Sequence, residues 1–185
     1  DALVVVPAWQ DHQGIGDGVV AVSIEPGGAF GLGDHPTTRL SLRAAHSRLT
    51  DGCDVLDVGC GTGVIAIAAV MLGAGSVRAV DVASAAVEAT LDNAVRNGVA
   101  DRVEVDTAPA ADLDETYDLV VANILAPTLI ELADDLRRLT RPDGRLVISG
   151  ILAERHEHVL AALAPMVVER VDTLDGWVAV TLRHA

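Results

Sequence analysis

The sequence predicts an α/β chain built around a mostly parallel sheet, and three observations carry that expectation. From Val55 onward, short β-branched runs alternate with helical patterns, as right-handed β–α–β units do. One joint, Gly59-Cys60-Gly61-Thr62-Gly63, sets three alternating glycines between an apolar strand and an unbroken helical pattern. Such a turn is where α/β folds hold nucleotide-like ligands, because glycine allows close backbone approach and leaves amide N–H groups to face a ligand. Last, Asp175-Gly176 between two β-branched runs is a hairpin signal that would close the sheet with an antiparallel pair.

The elements follow in order. Leu3-Val4-Val5-Val6-Pro7 reads as a strand with no lead-in, as in an excerpt of a longer chain, and residues 19–24 read as its hairpin partner. Residues 25–38 are too glycine-rich for regular structure, and so long a loop inside a compact domain points to function. A helix follows, with Leu40, Leu42, Ala45 and Leu49 as its buried stripe and Thr37 or Thr38 as its N-cap. Residues 55–58 form a strand and 63–72 a helix apolar almost all round, hence buried. Residues 77–82 are the next strand. The helix after it starts at Ser84 as N-cap, ends at Asn97-Gly98 and carries Val87, Leu91, Ala94 and Val95 at helical spacing. Strands follow at 103–105 and 118–124, the latter β-branched and continuous as buried parallel strands are. Pro127 opens a helix whose inner stripe is Leu129, Leu132, Leu136 and Leu139. Arg141-Pro142-Asp143-Gly144 is a turn, 146–151 a strand, 153–163 a helix, and 167–171 with 178–182 the closing hairpin.

Composition narrows the function classes. A chain of 185 residues is long enough to bury a substantial core as one domain. Its longest apolar run, residues 64–72, falls far short of the roughly 20 residues that cross a bilayer. With no charged-then-apolar opening segment, the expectation is a soluble cytoplasmic protein with no membrane contact. Thirteen basic against 27 acidic residues give a net charge of −14, which disfavours direct nucleic-acid binding. Cys53 and Cys60 fit neither a zinc spacing nor a disulfide framework, and no metal-ligand pattern is visible.

The glycine turn alone leaves the ligand open. Gly61-Thr62-Gly63-Val64-Ile65-Ala66 satisfies the loose dinucleotide pattern, with Asp81 at the distance expected of a ribose-binding acid, so a nicotinamide-dependent oxidoreductase is one reading. In the other register, Asp57-x-Gly59-x-Gly61-x-Gly63 is similar to the S-adenosylmethionine (SAM) signature, in which the turn meets a methionine moiety instead of a pyrophosphate. Asp81 suits the ribose in either case, since a carboxylate accepts two hydroxyl hydrogen bonds. Asp57 sits inside an apolar strand, where it either pins loop amides or touches the ligand.

Beyond the turn, several blocks point one way. Residues 26–38, Pro-Gly-Gly-Ala-Phe-Gly-Leu-Gly-Asp-His-Pro-Thr-Thr, resemble the PGxAFGTGxHxTT loop of the methyltransferase family that modifies ribosomal stalk protein L-11. Asp92-Asn93-Ala94-Val95-Arg96-Asn97-Gly98-Val99, Val120-Val121-Ala122-Asn123-Ile124-Leu125-Ala126 and Ser149-Gly150-Ile151-Leu152 are similar to further blocks of that family, in family order. The chain departs from the pattern at Leu32, at Ala83-Ser84 and at Gly176, and the family's separate N-terminal substrate-recognition domain has no counterpart in it.

The resemblance implies a Rossmann-like class I SAM methyltransferase with a seven-stranded, mostly parallel sheet and helices on both faces. It implies a division into residues 1–35, the leading hairpin and glycine-rich loop, and 36–185, the catalytic domain. It further implies SAM as cofactor, held by Thr38, Gly59, Asp81 and Asn123, to which the register of the glycine turn adds Asp57, Gly61 and Gly63. The expected reaction is methylation of a lysine or N-terminal amine of a ribosomal protein, with another protein lysine or a small amine as the alternative acceptor, by a chain expected to be monomeric. Methyl transfer from a sulfonium is an in-line displacement, so the enzyme chiefly positions a neutral amine. Asn123 is placed to orient that amine by accepting its N–H bonds. His35, which titrates near neutrality, is placed either to take a proton or to hold the glycine-rich loop.

Overall fold

The structure is a computed structural model that describes residues 3–10, 14–27, 31 and 33–185. Gly28, Ala29, Phe30 and Leu32 of the glycine-rich loop, and His12, lie outside the described residues. So does any account of the Leu32 departure.

Seven strands make one sheet: β3 (Asp54–Val58), β4 (Ser76–Val80), β5 (Val103–Asp106), β6 (Tyr117–Asn123), β7 (Thr140–Leu152), β8 (Val167–Leu174) and β9 (Trp177–Arg183). Their order across the sheet is β5-β4-β3-β6-β7-β9-β8. The first five run parallel, and β9 alone is reversed between β7 and β8. The chain steps outward from β3 to β5, then returns to β6 beside β3. That reversal of direction opens a crevice at the carboxyl ends of β3 and β6.

Among the described residues six helices cover the two faces: α1 (Pro36–His46), α2 (Val64–Met71), α3 (Ser84–Arg96), α4 (Ala126–Glu131), α5 (Ala133–Leu139) and α6 (His156–Ala162). Strand alternation divides the core in two. Val55, Val77, Leu119, Val121 and Val147 pack under α1, α2 and α3; Leu56, Val80, Val120, Leu146 and Ile148 pack under α4, α5 and α6. α2, apolar all round, is buried from Val64 to Val70 as its sequence predicts.

Several expectations are corrected. β1 (Leu3–Pro7) and β2 (Val20–Ile24) pair in parallel, in a separate two-stranded sheet, not as a hairpin. The connection between them is a dozen residues long, enough to carry the chain back to the same end, which a hairpin turn never does. Residues 141–144 leave the ladder without ending the strand: β7 runs from Thr140, and the register slips between Tyr117 and Leu119 on its partner. The helix from Pro127 is two helices, α4 and α5, meeting at Leu132. α1 is capped by His35, whose ring accepts from the Thr37 amide. Ala83, not Ser84, is the N-cap of α3.

The stripe of α3 is also displaced. Leu91 and Val95 are exposed, at 39% and 67%, whereas Ala86, Thr90, Asn93 and Ala94 face inward. Two of those four are polar, and their partners belong to the functional site.

Candidate functional site

At the carboxyl ends of β3, β4, β6 and β7 lies a cavity of about 800 Å³, a size that takes a cofactor. Gly59, Gly61 and Asp81 form one wall and Asn123, Ile124 and Leu125 another. His35, Thr37, Gly150 and Trp177 close the end, and Val82–Ala83 and Ala108–Ala110 line the outer part.

The glycine turn is held from inside. The Gly59 and Cys60 amides donate to Val80 O at 2.8 and 3.1 Å, the Gly61 amide donates to Asp81 Oδ2 at 3.1 Å, and the Gly63 amide donates to Cys60 O at 2.8 Å. The expectation of amides left for a ligand is therefore not met at these four positions. A pyrophosphate site needs converging free N–H donors; here those of Gly59, Cys60, Gly61 and Gly63 are committed within the protein. What the turn offers the cavity is bare backbone. Gly59 has φ 77°, and a Cβ there would stand 2.3 Å from Ile124 Cγ2. Gly150, φ 85°, closes on Ile124 from the other side, where a Cβ would meet Ile124 O at 2.3 Å. Two glycines thus clasp Ile124 and fix the segment that carries Asn123.

Asp57 lies beneath the turn, wholly buried. Gly63, the N-cap of α2, has no side chain to satisfy the first helical amides, and Asp57 Oδ2 accepts from Ala66 N at 3.2 Å in its stead. Its Oδ1 has no partner among the described residues. Burial pushes the carboxyl up to about 7, against the Ala66 hydrogen bond and assisted by nearby Asp81. Cys60 in the same turn is buried and its thiol is pushed up to about 12, chiefly by desolvation and then by Asp57, so it is a packing group and not a nucleophile.

Asp81 stands on the cavity wall with Oδ1 on the Ala83 amide at 3.0 Å and Oδ2 on the Gly61 amide. A carboxylate accepts about four hydrogen bonds, so it retains capacity toward the cavity. Asn123, the last residue of β6, lines the cavity too, and its Oδ1 is buried without a partner among the described residues. His35 Nδ1 lies 2.8 Å from Thr37 Oγ1 and accepts from Thr37 N at 3.3 Å. The ring meets Trp177 edge-on, centroids 5.1 Å apart.

The cavity thus gathers Gly59, Gly61, Asp81, Asn123 and His35. Asp57, Gly63 and Thr38 lie behind its lining; Thr38 is fully buried, with Oγ1 unpartnered among the described residues. Sequence reasoning missed Trp177, Gly150 and the Ala108–Ala110 wall. Trp177 was within reach, because the Asp175-Gly176 turn fixes it at the start of β9. Among the described residues no group of His, Cys, Asp and Glu could hold a metal ion, and no helix is long and apolar enough to cross a membrane.

This sheet order with a reversed β9, and the glycine turn facing an acid after β4, define a class I SAM methyltransferase fold. Solved structures agree. A ribosomal protein L11 methylase from Lactobacillus delbrueckii subsp. bulgaricus superposes with TM-score 0.92 at 32% identity, over 100% of this chain and 96% of that one. A TehB-like SAM-dependent methyltransferase from Corynebacterium glutamicum, at TM-score 0.64 and 15% identity over 78% and 87% of the two chains, shares the fold alone.

The chain belongs to the family described as Ribosomal protein L11 methyltransferase (PrmA), whose model matches residues 1–185. The ribosomal protein L11 methyltransferase of Pseudomonas fluorescens is 44% identical over 98% of this chain, and that of Methylococcus capsulatus 47% over 86%. The chain spans 62% and 55% of the length of those relatives.

Proposed function

We propose that the chain is the catalytic part of a SAM-dependent protein N-methyltransferase whose acceptor is a lysine or N-terminal amine of ribosomal protein L-11. It acts as a monomer on a protein, in the cytoplasm, with no nucleic acid in the site. One observation carries the reading. The Gly59, Cys60, Gly61 and Gly63 amides of the turn are committed inward, while Asp81 and Asn123 line the cavity. A site rich in acceptors and poor in free donors suits ribose hydroxyls, a cation and an amine, and opposes a pyrophosphate.

SAM supplies a methyl group on a positively charged sulfur. The chain's own residues hold and aim. Asp81 accepts from the ribose hydroxyls, and Gly59 and Gly61, which line the cavity, let the methionine part lie against backbone. Thr38 and Asp57 support the site from behind the lining. The acceptor must be neutral to attack. For a lysine of pKa near 10.4, deprotonation at pH 7 costs about 4.6 kcal/mol, and for an N-terminal amine of pKa about 8, about 1 kcal/mol. A nearby sulfonium lowers either cost. Asn123 Oδ1 accepts one N–H of the neutral amine and so turns its lone pair toward the methyl carbon. An asparagine takes no proton, so its role is orientation. His35, with Nδ1 on Thr37 and its ring against Trp177, holds the start of α1 at the end of the cavity.

The test is transfer of labelled methyl from SAM to purified L-11, with total ribosomal protein in parallel. Label on an amine of L-11 is the expected result. Label only on another protein or a small amine would move the acceptor, and label nowhere would remove the proposal.

A further inference from the structure

β2 pairs with β1 along one edge only, and its other edge faces α3, not a strand. Ser23 and Glu25, two residues apart, present N–H and C=O along that edge. Asn93 on α3 and Asn97, its C-cap one turn further on, answer them with their carboxamides. Asn97 Oδ1 accepts from Ser23 N at 2.8 Å and its Nδ2 donates to Ser23 O at 2.7 Å. Asn93 Oδ1 accepts from Glu25 N at 2.8 Å and its Nδ2 donates to Glu25 O at 3.0 Å. Two asparagines thus stand in for a strand.

Asn93 does one thing more. Its second amide hydrogen goes to Thr62 O, 3.0 Å away in the glycine turn, while Thr90 Oγ1 on the same helix lies 3.1 Å from Gly61 O. A carbonyl fixed in direction fixes its whole peptide plane. The Gly61–Thr62 and Thr62–Gly63 planes are therefore set by side chains of α3 that do not line the cavity. Thr62 in turn donates through Oγ1 to Gly31 O at 2.8 Å, which extends the same chain of contacts to the glycine-rich loop.

We propose that Asn93, with Thr90, is a positioning residue for the cofactor site: it sets the orientation of the glycine turn from outside the cavity, whereas Asn97, which holds β2 and donates to Asn93 O at 2.7 Å, makes no hydrogen bond to the turn. The inference rests on the SAM reading for its binding assay but not for its structural one. Asn93→Ala and Asn97→Ala both remove a strand-holding carboxamide, so both are expected to lower the melting temperature. Only Asn93→Ala releases the turn. Hydrogen exchange at the Gly61 and Gly63 amides of the full chain without ligand should quicken about tenfold in Asn93→Ala and stay at the native rate in Asn97→Ala. By calorimetry, SAM affinity should fall about tenfold in Asn93→Ala, the scale of one internal hydrogen bond, and change less than twofold in Asn97→Ala. Thr90→Val, which keeps the packing against Gly63 and removes only the hydroxyl, gives the same pair of readouts if Asn93→Ala does not fold. Native exchange at Gly61 and Gly63 in Asn93→Ala, or in Thr90→Val, overturns the proposal. Failure of the native chain to bind SAM overturns the cofactor reading instead, and the exchange result still decides the role of Asn93.

Discussion

Asp57 sits fully buried at the end of β3, one oxygen on the Ala66 amide and the other without a partner among the described residues. Folding raises its carboxyl from 3.8 to about 7, so between those values the folded chain holds a proton that the unfolded chain has lost. Stability from this group is full below about pH 4 and declines as pH rises through 7. The native chain should therefore lose melting temperature between pH 5 and pH 8, and Asp57→Asn should flatten that fall; an unchanged slope would assign it to other groups. Gly59→Ala tests the clasp on Ile124. A non-glycine residue at φ 77° costs about 1–2 kcal/mol before its Cβ meets Ile124. The variant should lose methyl transfer and melt several degrees lower. Asn123→Ala should lower kcat about a hundredfold, the scale of a misaimed nucleophile, while SAM affinity changes far less. At this scale spacing led to Gly59, Gly61 and Asp81 and the family resemblance to Asn123, and all four line the cavity. The inward commitment of the turn's amides was not legible: the acceptors Val80 O and Cys60 O are backbone atoms, which carry no residue signature.

Among the elements, α3 separates what periodicity tells from what it hides. Val87, Leu91, Ala94 and Val95 were expected to face inward together, yet only Ala94 is buried and Val87 half-buried, and the neighbouring Thr90 and Asn93 are buried. Helical spacing finds a face by hydrophobicity, and a helix whose task is to hydrogen-bond a strand edge and a turn presents polar groups inward instead. Val95→Glu should accordingly shift the melting temperature by no more than about 2 °C, while Ala94→Leu, in a sealed position, should cost about 1–3 kcal/mol. Thermal unfolding of the two variants ranks them, and the opposite ranking would restore the apolar stripe. α4 and α5 show the complementary case. Leu129, Leu136 and Leu139 are buried as their spacing predicts, and the break at Leu132 leaves that stripe intact.

The whole molecule divides its polar chemistry between the two ends of the sheet. At the amino ends of β3 and β6, Arg141 bridges Asp54 and Asp118, each at 2.6 Å, and Asp118 accepts from the Asp54 amide. At the carboxyl ends the acids are instead turned to the cavity or its floor, as at Asp81 and Asp57. The parallel sheet followed from strand–helix alternation and its closing hairpin from Asp175-Gly176, while helices on both faces were implied by the family resemblance. The leading pair did not follow from the sequence, because parallel and antiparallel β1–β2 share one residue pattern and differ only in how the dozen residues between them run. The central claim is that this cavity binds SAM through an acid on a ribose and a turn that faces it with bare backbone. Calorimetry of the native chain and Asp81→Ala, each titrated with SAM and with NADH, tests it most directly. The expected result is SAM binding by the native chain, weakened at least tenfold in Asp81→Ala, with no NADH binding by either. NADH binding in the absence of SAM binding would contradict the claim.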